Sequence, residues 1–191
     1  MIKITPKIKI AFFTGSFQFG GTERFLLSLL KNIDRSRFEP IVMCFSKSGD
    51  FLPDLEELGI RIEVFKIKNG FFNTTGFKSL IKAFFFLRKN KIQILHSLAD
   101  WANLFSTIVG KISGVKVILV SQRNMGHWIK KRSHYYITKI IYKYLSNGII
   151  VNSYSIKKKV IKDFKIKNQS IKVIHNGISI NKTYSNDSIR S

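Results

Sequence analysis

The 191-residue chain carries 33 Lys and Arg against 11 Asp and Glu, a formal charge of +22, and 45% of its residues are hydrophobic, 17 of them Phe. That length and apolar content suit one good-sized core and exclude disorder for the chain as a whole. A single cysteine, Cys44, excludes an intramolecular disulfide and leaves too few ligands for a His/Cys zinc cluster, so no metal site is expected.

In chain order, the first thirteen residues set lysines before an apolar stretch, as a secretory signal does. Their apolar positions alternate with Lys3, Lys7 and Lys9, however, and no small-residue cleavage site follows. Residues 7–14 therefore read as a first strand, ended by Gly15-Ser16. Thr22 is the expected N-cap of a helix over 23–32, with Phe25, Leu26, Leu29 and Leu30 on one face. A second strand covers 40–45, where the run Ile41-Val42-Met43-Cys44-Phe45 marks Cys44 as a buried structural thiol. A short helix starts near Asp50, tolerates Pro53 in its first turn and stops at Gly59. A strand over 61–67 and a helix over 77–89 follow. The greasy stretch 80–87 is interrupted by Lys82 and is far too short for a bilayer core of ~30 Å. Next come a strand over 92–97, a helix over 101–113, a strand over 115–121, a helix over 133–145 and a strand over 148–152. A helix over 153–164, capped by Ser153, leads to a last strand over 171–174 and then His175-Asn176-Gly177. Residues 1–180 form the expected domain; the polar run 181–191 reads as a linker or frayed tail.

Strands separated by helices of this length favour parallel pairing, and their near-continuous apolar character fits a sheet covered on both faces. The expected fold is α/β, a single Rossmann-like doubly wound parallel sheet. Ligands of such sheets gather beyond the carboxyl ends of the strands. That rule selects four loops: 15–22, 97–103, 122–127 and 152–153. In the first, Gly20 and Gly21 open a helix whose free amides suit a phosphate, although neither a dinucleotide fingerprint nor a Walker lysine is present. The same loop also reads as a plain turn. Arg123 and Asn124 follow the fifth strand, where a guanidinium can clamp a phosphate or carboxylate. Asp100 and Asn103 flank Trp101, and Asp100 reads equally as a helix N-cap. His96 ends a strand and His127 sits beside Trp128. Both are weak candidates, more often packing residues than proton carriers.

Several of these segments together resemble the family-4-type retaining glycosyltransferases. Gly20-Gly21-Thr22-Glu23-Arg24 is similar to the family's GG-x-E-R opening. Asp100-Trp101-Ala102-Asn103-Leu104 with the later Gly114-Val115 resembles the helix after its fourth strand, and Ser121 to Trp128 (SQRNMGHW) an S-x-R-x-M-G-x-W segment of a subset. Ile149, Val151, Asn152 and Ser153 with residues 171–178 resemble the run that closes the N-terminal domain. The likeness covers about 7–179. It implies the N-terminal, acceptor-binding half of a GT-B architecture, with the C-terminal donor domain missing or supplied by a separate polypeptide. It implies no metal and no cofactor, with the nucleotide-sugar donor as substrate. Gly20 and Gly21 would face the donor diphosphate. Asp100, Asn103, Arg123 and Asn124 would line the pocket of a glycan or lipid-linked acceptor, and Asn176 and Gly177 would form the hinge. Many relatives carry a second histidine where this chain has Leu98. The residues beyond Gly177 leave no room for a nucleotide-binding domain of about 100 residues or more, so the expectation is a half-enzyme inactive alone.

The alternative is a basic binding module on an anionic membrane, carried by Lys130, Lys131, Arg132, Lys139, Lys143 and residues 157–159. A coding bias towards A and T explains much of the lysine excess equally well, so the charge alone names no partner. Nucleic acid is disfavoured for want of a motif. The expected location is the cytoplasm, at most on the surface of its membrane.

Overall fold

The computed structural model describes residues 6–67, 73–125 and 132–177. Among them, the elements in order are β1 (Ile8–Thr14), α1 (Gly21–Asn32), β2 (Phe38–Cys44), α2 (Leu52–Glu57), β3 (Ile62–Val64), α3 (Thr74–Lys89), β4 (Ile94–Ser97) and α4 (Asp100–Ile112). They continue with β5 (Val117–Gln122), α5 (Arg132–Ile140) running into a π turn (Ile141–Leu145), β6 (Gly148–Val151), α6 (Tyr154–Phe164) and β7 (Ile171–Val173). The strands form one sheet in the order β3-β2-β1-β4-β5-β6-β7, and every neighbouring pair is parallel. This is the expected doubly wound α/β fold. Strand order reverses between β1 and β4, which opens a crevice at the carboxyl ends of those two strands.

The period of two along each strand divides the core into faces. Ile10 and Phe12 of β1, with Val42 and Cys44 of β2, pack under Leu26, Leu27 and Leu30 of α1 and Leu55 of α2. Ala11 and Phe13, with Ile41, Met43, Leu95 and Ile118, pack under Ala83, Phe86 and Leu87 of α3 and Phe105 and Val109 of α4. On that same face Val120, Ile149 and Val151 meet the π turn and α6. Much of the phenylalanine content is spent here. Phe13 stacks on Phe105 at 5.2 Å and meets Phe45 edge-on at 4.8 Å, while Phe65 meets Phe86 edge-on at 5.6 Å. Pairs of this kind add ~0.5–1.5 kcal/mol beyond area burial. Gly110 lets α4 approach the sheet: a Cβ there would sit 2.9 Å from Ile118 Cδ1.

Four local expectations are corrected. Helix α1 begins two residues early, with Gly20 rather than Thr22 at the N-cap, because the Gly20 carbonyl already accepts from Arg24 N at 3.0 Å. Ala99, not Asp100, caps α4; its carbonyl accepts from Asn103 N at 2.7 Å, and Asp100 becomes the first helical residue. The third strand is only Ile62–Val64, since after Phe65 N bonds Cys44 O the chain leaves this sheet edge and buries the Phe65 ring instead. The helix after β5 ends in a π turn, which carries Tyr142 into the interior. Ser153 caps α6 as expected, accepting from Ile156 N at 3.2 Å.

Candidate functional site

The loop after β1 is not a loose turn. Phe17 N bonds Ser48 O at 2.8 Å, Phe51 N bonds Phe17 O at 3.0 Å, and Phe19 N bonds the Asp50 carboxylate at 3.0 Å. Phe17 is fully buried, and Gly49, at φ +125°, lies so close that a Cβ would fall 2.1 Å from the Phe17 carbonyl carbon. The loop after β2 thus holds the glycine loop in place. At its end the two glycines differ. A Cβ on Gly20 would meet the Glu23 carboxylate at 2.5 Å, because that side chain folds back over the helix start. A Cβ on Gly21 would meet nothing within 4 Å. At 20 only the movable tip of the Glu23 side chain stands in the way of a Cβ, and the space at 21 is open.

Glu23, in the Gly20-Gly21-Thr22-Glu23-Arg24 segment, lies at the switch point. Its carboxylate is half-buried and accepts from Thr14 Oγ1 at 3.5 Å. Burial pushes its pKa up, opposed by its own backbone N–H, by Thr14 and by the charge of Arg123.

A shelf of satisfied polar groups lies beneath the crevice. His96 Nε2 meets Ser121 Oγ at 2.9 Å, and the ring packs at 5.7 Å from Phe12. Burial, and secondarily the charge of Arg123, hold this histidine at about 4, so the ring is neutral at physiological pH. Asn103 is 3% exposed: its Oδ1 accepts from Ser97 Oγ at 2.6 Å and its Nδ2 donates to Ser121 O at 2.9 Å. It stands under the pocket floor, tying α4 to β4 and β5, with both amide atoms engaged. Tyr142 donates to Gln122 Oε1, and Gln122 Nε2 donates to Asn124 Oδ1 at 2.8 Å. Gln122 and Tyr142 were not singled out in the sequence. A polar residue ending the apolar run of β5 was the visible signal for the first; nothing signalled the second.

Arg123 joins three elements. Its guanidinium lies 3.8 Å from the centre of the Phe25 ring on α1, and Nη2 donates to Asn176 Oδ1 at the expected hinge. Its carbonyl accepts from Asn152 Nδ2 at 3.3 Å, and Asn152 O meets His175 Nδ1 at 3.1 Å. Nη1 is buried without a hydrogen-bond partner, as is Asn152 Oδ1. Burial lowers the guanidinium to about 10, with Glu23 pulling the other way, so it stays charged. Asn124 Nδ2 donates to Asp100 Oδ2 at 3.2 Å, a contact available because Asp100 does not cap its helix. Burial raises the Asp100 carboxyl against that bond.

The structure thus gathers Gly20, Gly21, Asp100, Arg123, Asn124 and Asn176 around the carboxyl ends of β1, β4 and β5, and sets His96 and Asn103 beneath them. A Cβ at Gly177 would meet nothing within 4 Å. His127 and the tail from Asn181 lie outside the described residues. An unforeseen cavity of about 300 Å³ adjoins the site between the β5 loop, α5 and α6, lined by Gln122, Asn124, Met125, Tyr135, Lys159 and Asp163 among others. Among the described residues no three His, Cys, Asp or Glu are grouped to hold a metal ion.

A doubly wound sheet with a glycine loop, a clamped arginine and a polar crevice defines an α/β domain of the Rossmann-like, GT-B kind. More particularly, the chain belongs to Glycosyltransferase Family 4, whose model matches residues 19–182. Its fold is similar to Anabaena HepE solved with UDP (TM-score 0.74, 21% identity, 91% of this chain and 45% of that one). It is also similar to the lipopolysaccharide outer core galactosyltransferase WaaB (0.66, 21%, 92% and 47%) and to a glycosyltransferase from Rickettsia africae (0.67, 17%, 91% and 44%). The chain therefore spans about half the length of these structures and corresponds to the N-terminal half of the GT-B architecture. No curated protein matches it in sequence.

Proposed function

We propose that this domain is the acceptor-side half of a glycosyltransferase that moves a sugar from a nucleotide-sugar to a glycan or lipid-linked acceptor. In this reading transfer requires a donor-binding half, and the chain alone is inactive. The observation that carries it is the corner where Arg123, a half-buried cation, packs on α1 a turn beyond the open Gly21. A cation beside a helix N-terminus suits an anionic diphosphate. The Asp100–Asn124 pair beside it offers acceptor and donor groups to sugar hydroxyls. HepE has been solved with UDP-glucose and UDP, which supports a nucleotide-sugar as the donor class.

The test joins the chain at Gly177 to the donor-binding half of a Family 4 relative, or mixes the two polypeptides, and follows nucleoside diphosphate release with lipid-linked and polysaccharide acceptors. Transfer by the joined or mixed protein, absent from each half, is expected. Halves that associate but transfer to no acceptor would sink the reading.

The +22 charge favours a second role that is compatible with the first, attachment to an anionic membrane on its cytoplasmic face. Among the described residues no helix is long and apolar enough to cross a membrane.

A further inference from the structure

We propose that Phe19 is a stacking platform for a neutral hexopyranose ring of the acceptor, so that the group receiving the sugar is itself part of a glycan. This rests on the acceptor-side reading above and narrows it. Phe19 is 72% exposed, more than any other large apolar side chain among the described residues. A loose exposed phenylalanine needs no explanation, but this one is held. Its N–H donates to the Asp50 carboxylate at 3.0 Å, and its ring stacks on Phe51 at 5.4 Å with 16° between the planes. Phe51 in turn packs against the core under α1 and α2. The Arg24 guanidinium lies 5.2 Å from the centre of the Phe19 ring. The chain leading into the ring is fixed as well, since Phe17 is buried and bonds Ser48 and Phe51 through its backbone. An aromatic surface fixed before a ligand arrives loses little conformational freedom on binding.

Position and surroundings define the ligand. Phe19 directly precedes Gly20 in the loop after β1, on the rim of the crevice. The exposed side chains beside it on the two interlocked loops and the first turn of α1 are polar: Gln18, Arg24, Ser46, Lys47, Ser48 and Asp50. Among the described residues the Arg24 guanidinium makes neither a hydrogen bond nor an ion pair, so its donors are open to a ligand. Asp50 gives one carboxylate oxygen to Phe19 N and keeps the other. A pyranose matches this arrangement, because its axial C–H groups form an apolar face while its equatorial hydroxyls donate and accept around the edge. The core of a protein–protein contact is depleted of charge, and one ring set among charged side chains does not supply such a core. A nucleobase also stacks on aromatic rings. The mixed donors and acceptors on separate side chains here suit hydroxyls, which do both, better than the fixed edge of a base.

The experiment titrates the full chain, with isotope-labelled phenylalanine, against methyl β-glucopyranoside, methyl β-galactopyranoside and uridine, and follows the Phe19 ring by NMR. A saturable shift with at least one glycoside is expected, with a dissociation constant on the order of millimolar. Phe19→Ala should weaken that glycoside roughly tenfold, and Phe19→Trp should restore it. Arg24→Ala should weaken it roughly threefold. Phe85→Ala, which removes a ring almost as exposed on α3, should change it less than about twofold. Thermal melting checks that each variant folds. No shift of Phe19 with either glycoside would overturn the proposal, as would uridine shifting it in their place. So would a glycoside affinity that Phe19→Ala leaves unchanged, or a ring that answers only to an added donor-binding half. Glycoside binding is read on the chain alone and can hold where transfer fails. Conversely, in a joined protein that transfers, an acceptor KM unmoved by Phe19→Ala would overturn the platform and leave the transfer reading standing.

Discussion

The low pKa of His96 provides a direct test of its placement. In the folded chain burial, and then the Arg123 charge, lower the group from 6.5 to about 4. Between those values the unfolded chain binds a proton that the native state refuses, so the stability present above pH 6.5 is lost as pH falls towards 4. At about 1.4 kcal/mol per pH unit, the window is worth about 3 kcal/mol. The perturbation is His96→Gln, which can still bond Ser121 Oγ but cannot titrate. Urea denaturation at pH 7 and pH 4 measures both proteins. The wild type should lose about 3 kcal/mol more than the variant across that interval. The +22 charge and its acid-enhanced repulsion act on both proteins and cancel in the difference. Parallel losses would refute the placement, since they would mean that the ring titrates normally and is open to solvent. A functional corollary follows: once a donor half restores transfer, its pH profile should carry no inflection that disappears in His96→Gln.

Four further outcomes are expected. Gly49→Ala should cost about 3 kcal/mol or more in thermal or urea unfolding, because it adds a side chain at φ +125° against the Phe17 backbone; a shift near zero would deny that the two loops are interlocked. Gly21→Ala should leave stability within about 0.5 kcal/mol while lowering donor-dependent transfer about tenfold in the complemented enzyme; unaltered transfer would remove the diphosphate from that loop. Cys44, buried and pushed up to about 12, should resist thiol reagents at pH 8 until urea unfolds the chain; prompt labelling of the native protein would contradict its burial. Arg123→Lys keeps the charge but loses the planar fork that spans Phe25 and Asn176. It should reduce transfer more than about tenfold with a modest fall in melting temperature, and wild-type kinetics in the variant would show that charge alone suffices.

The elements that the sequence showed clearly are those whose local signals agree with the tertiary demand. Strand β1 alternates between two buried faces, α6 opens on a serine cap, and α3 carries apolar residues at helical spacing. Where local and tertiary signals diverge, the pattern misleads. Thr22 and Asp100 have capping chemistry, yet the backbone turns into the helix earlier, at Gly20 and Ala99. Residues 65–67 look like strand because Phe65 and Ile67 are apolar, but their burial serves the aromatic core rather than the sheet. The candidate site was legible through its loops, since the ends of parallel strands converge whatever the details. Its framework was not. Tyr142 reaches Gln122 only because a π turn shifts it, and Asn103 is engaged from below by Ser97 and Ser121, contacts that spacing along the chain does not encode.

What separates frame from site is how the polar atoms are satisfied. Asn103, His96, Gln122 and Tyr142 find partners within the domain, and their bonds fix β4, β5 and α4 with respect to one another. Four buried side-chain atoms among the described residues have none: Ser113 Oγ, Thr138 Oγ1, Arg123 Nη1 and Asn152 Oδ1. Two of the four share one corner, where the Asn152 side chain donates through Nδ2 to the Arg123 carbonyl and so ties the two residues side chain to backbone. Each orphan costs about 1–3 kcal/mol in a folded protein. One of the pair is a donor on a cation, the other a neutral acceptor. A phosphate oxygen answers the first, and a sugar hydroxyl has the lone pairs for the first and the proton for the second. A purely apolar ligand answers neither. On the proposed function, a phosphate-bearing ligand held at this corner should raise the melting temperature of the isolated chain even where no transfer occurs.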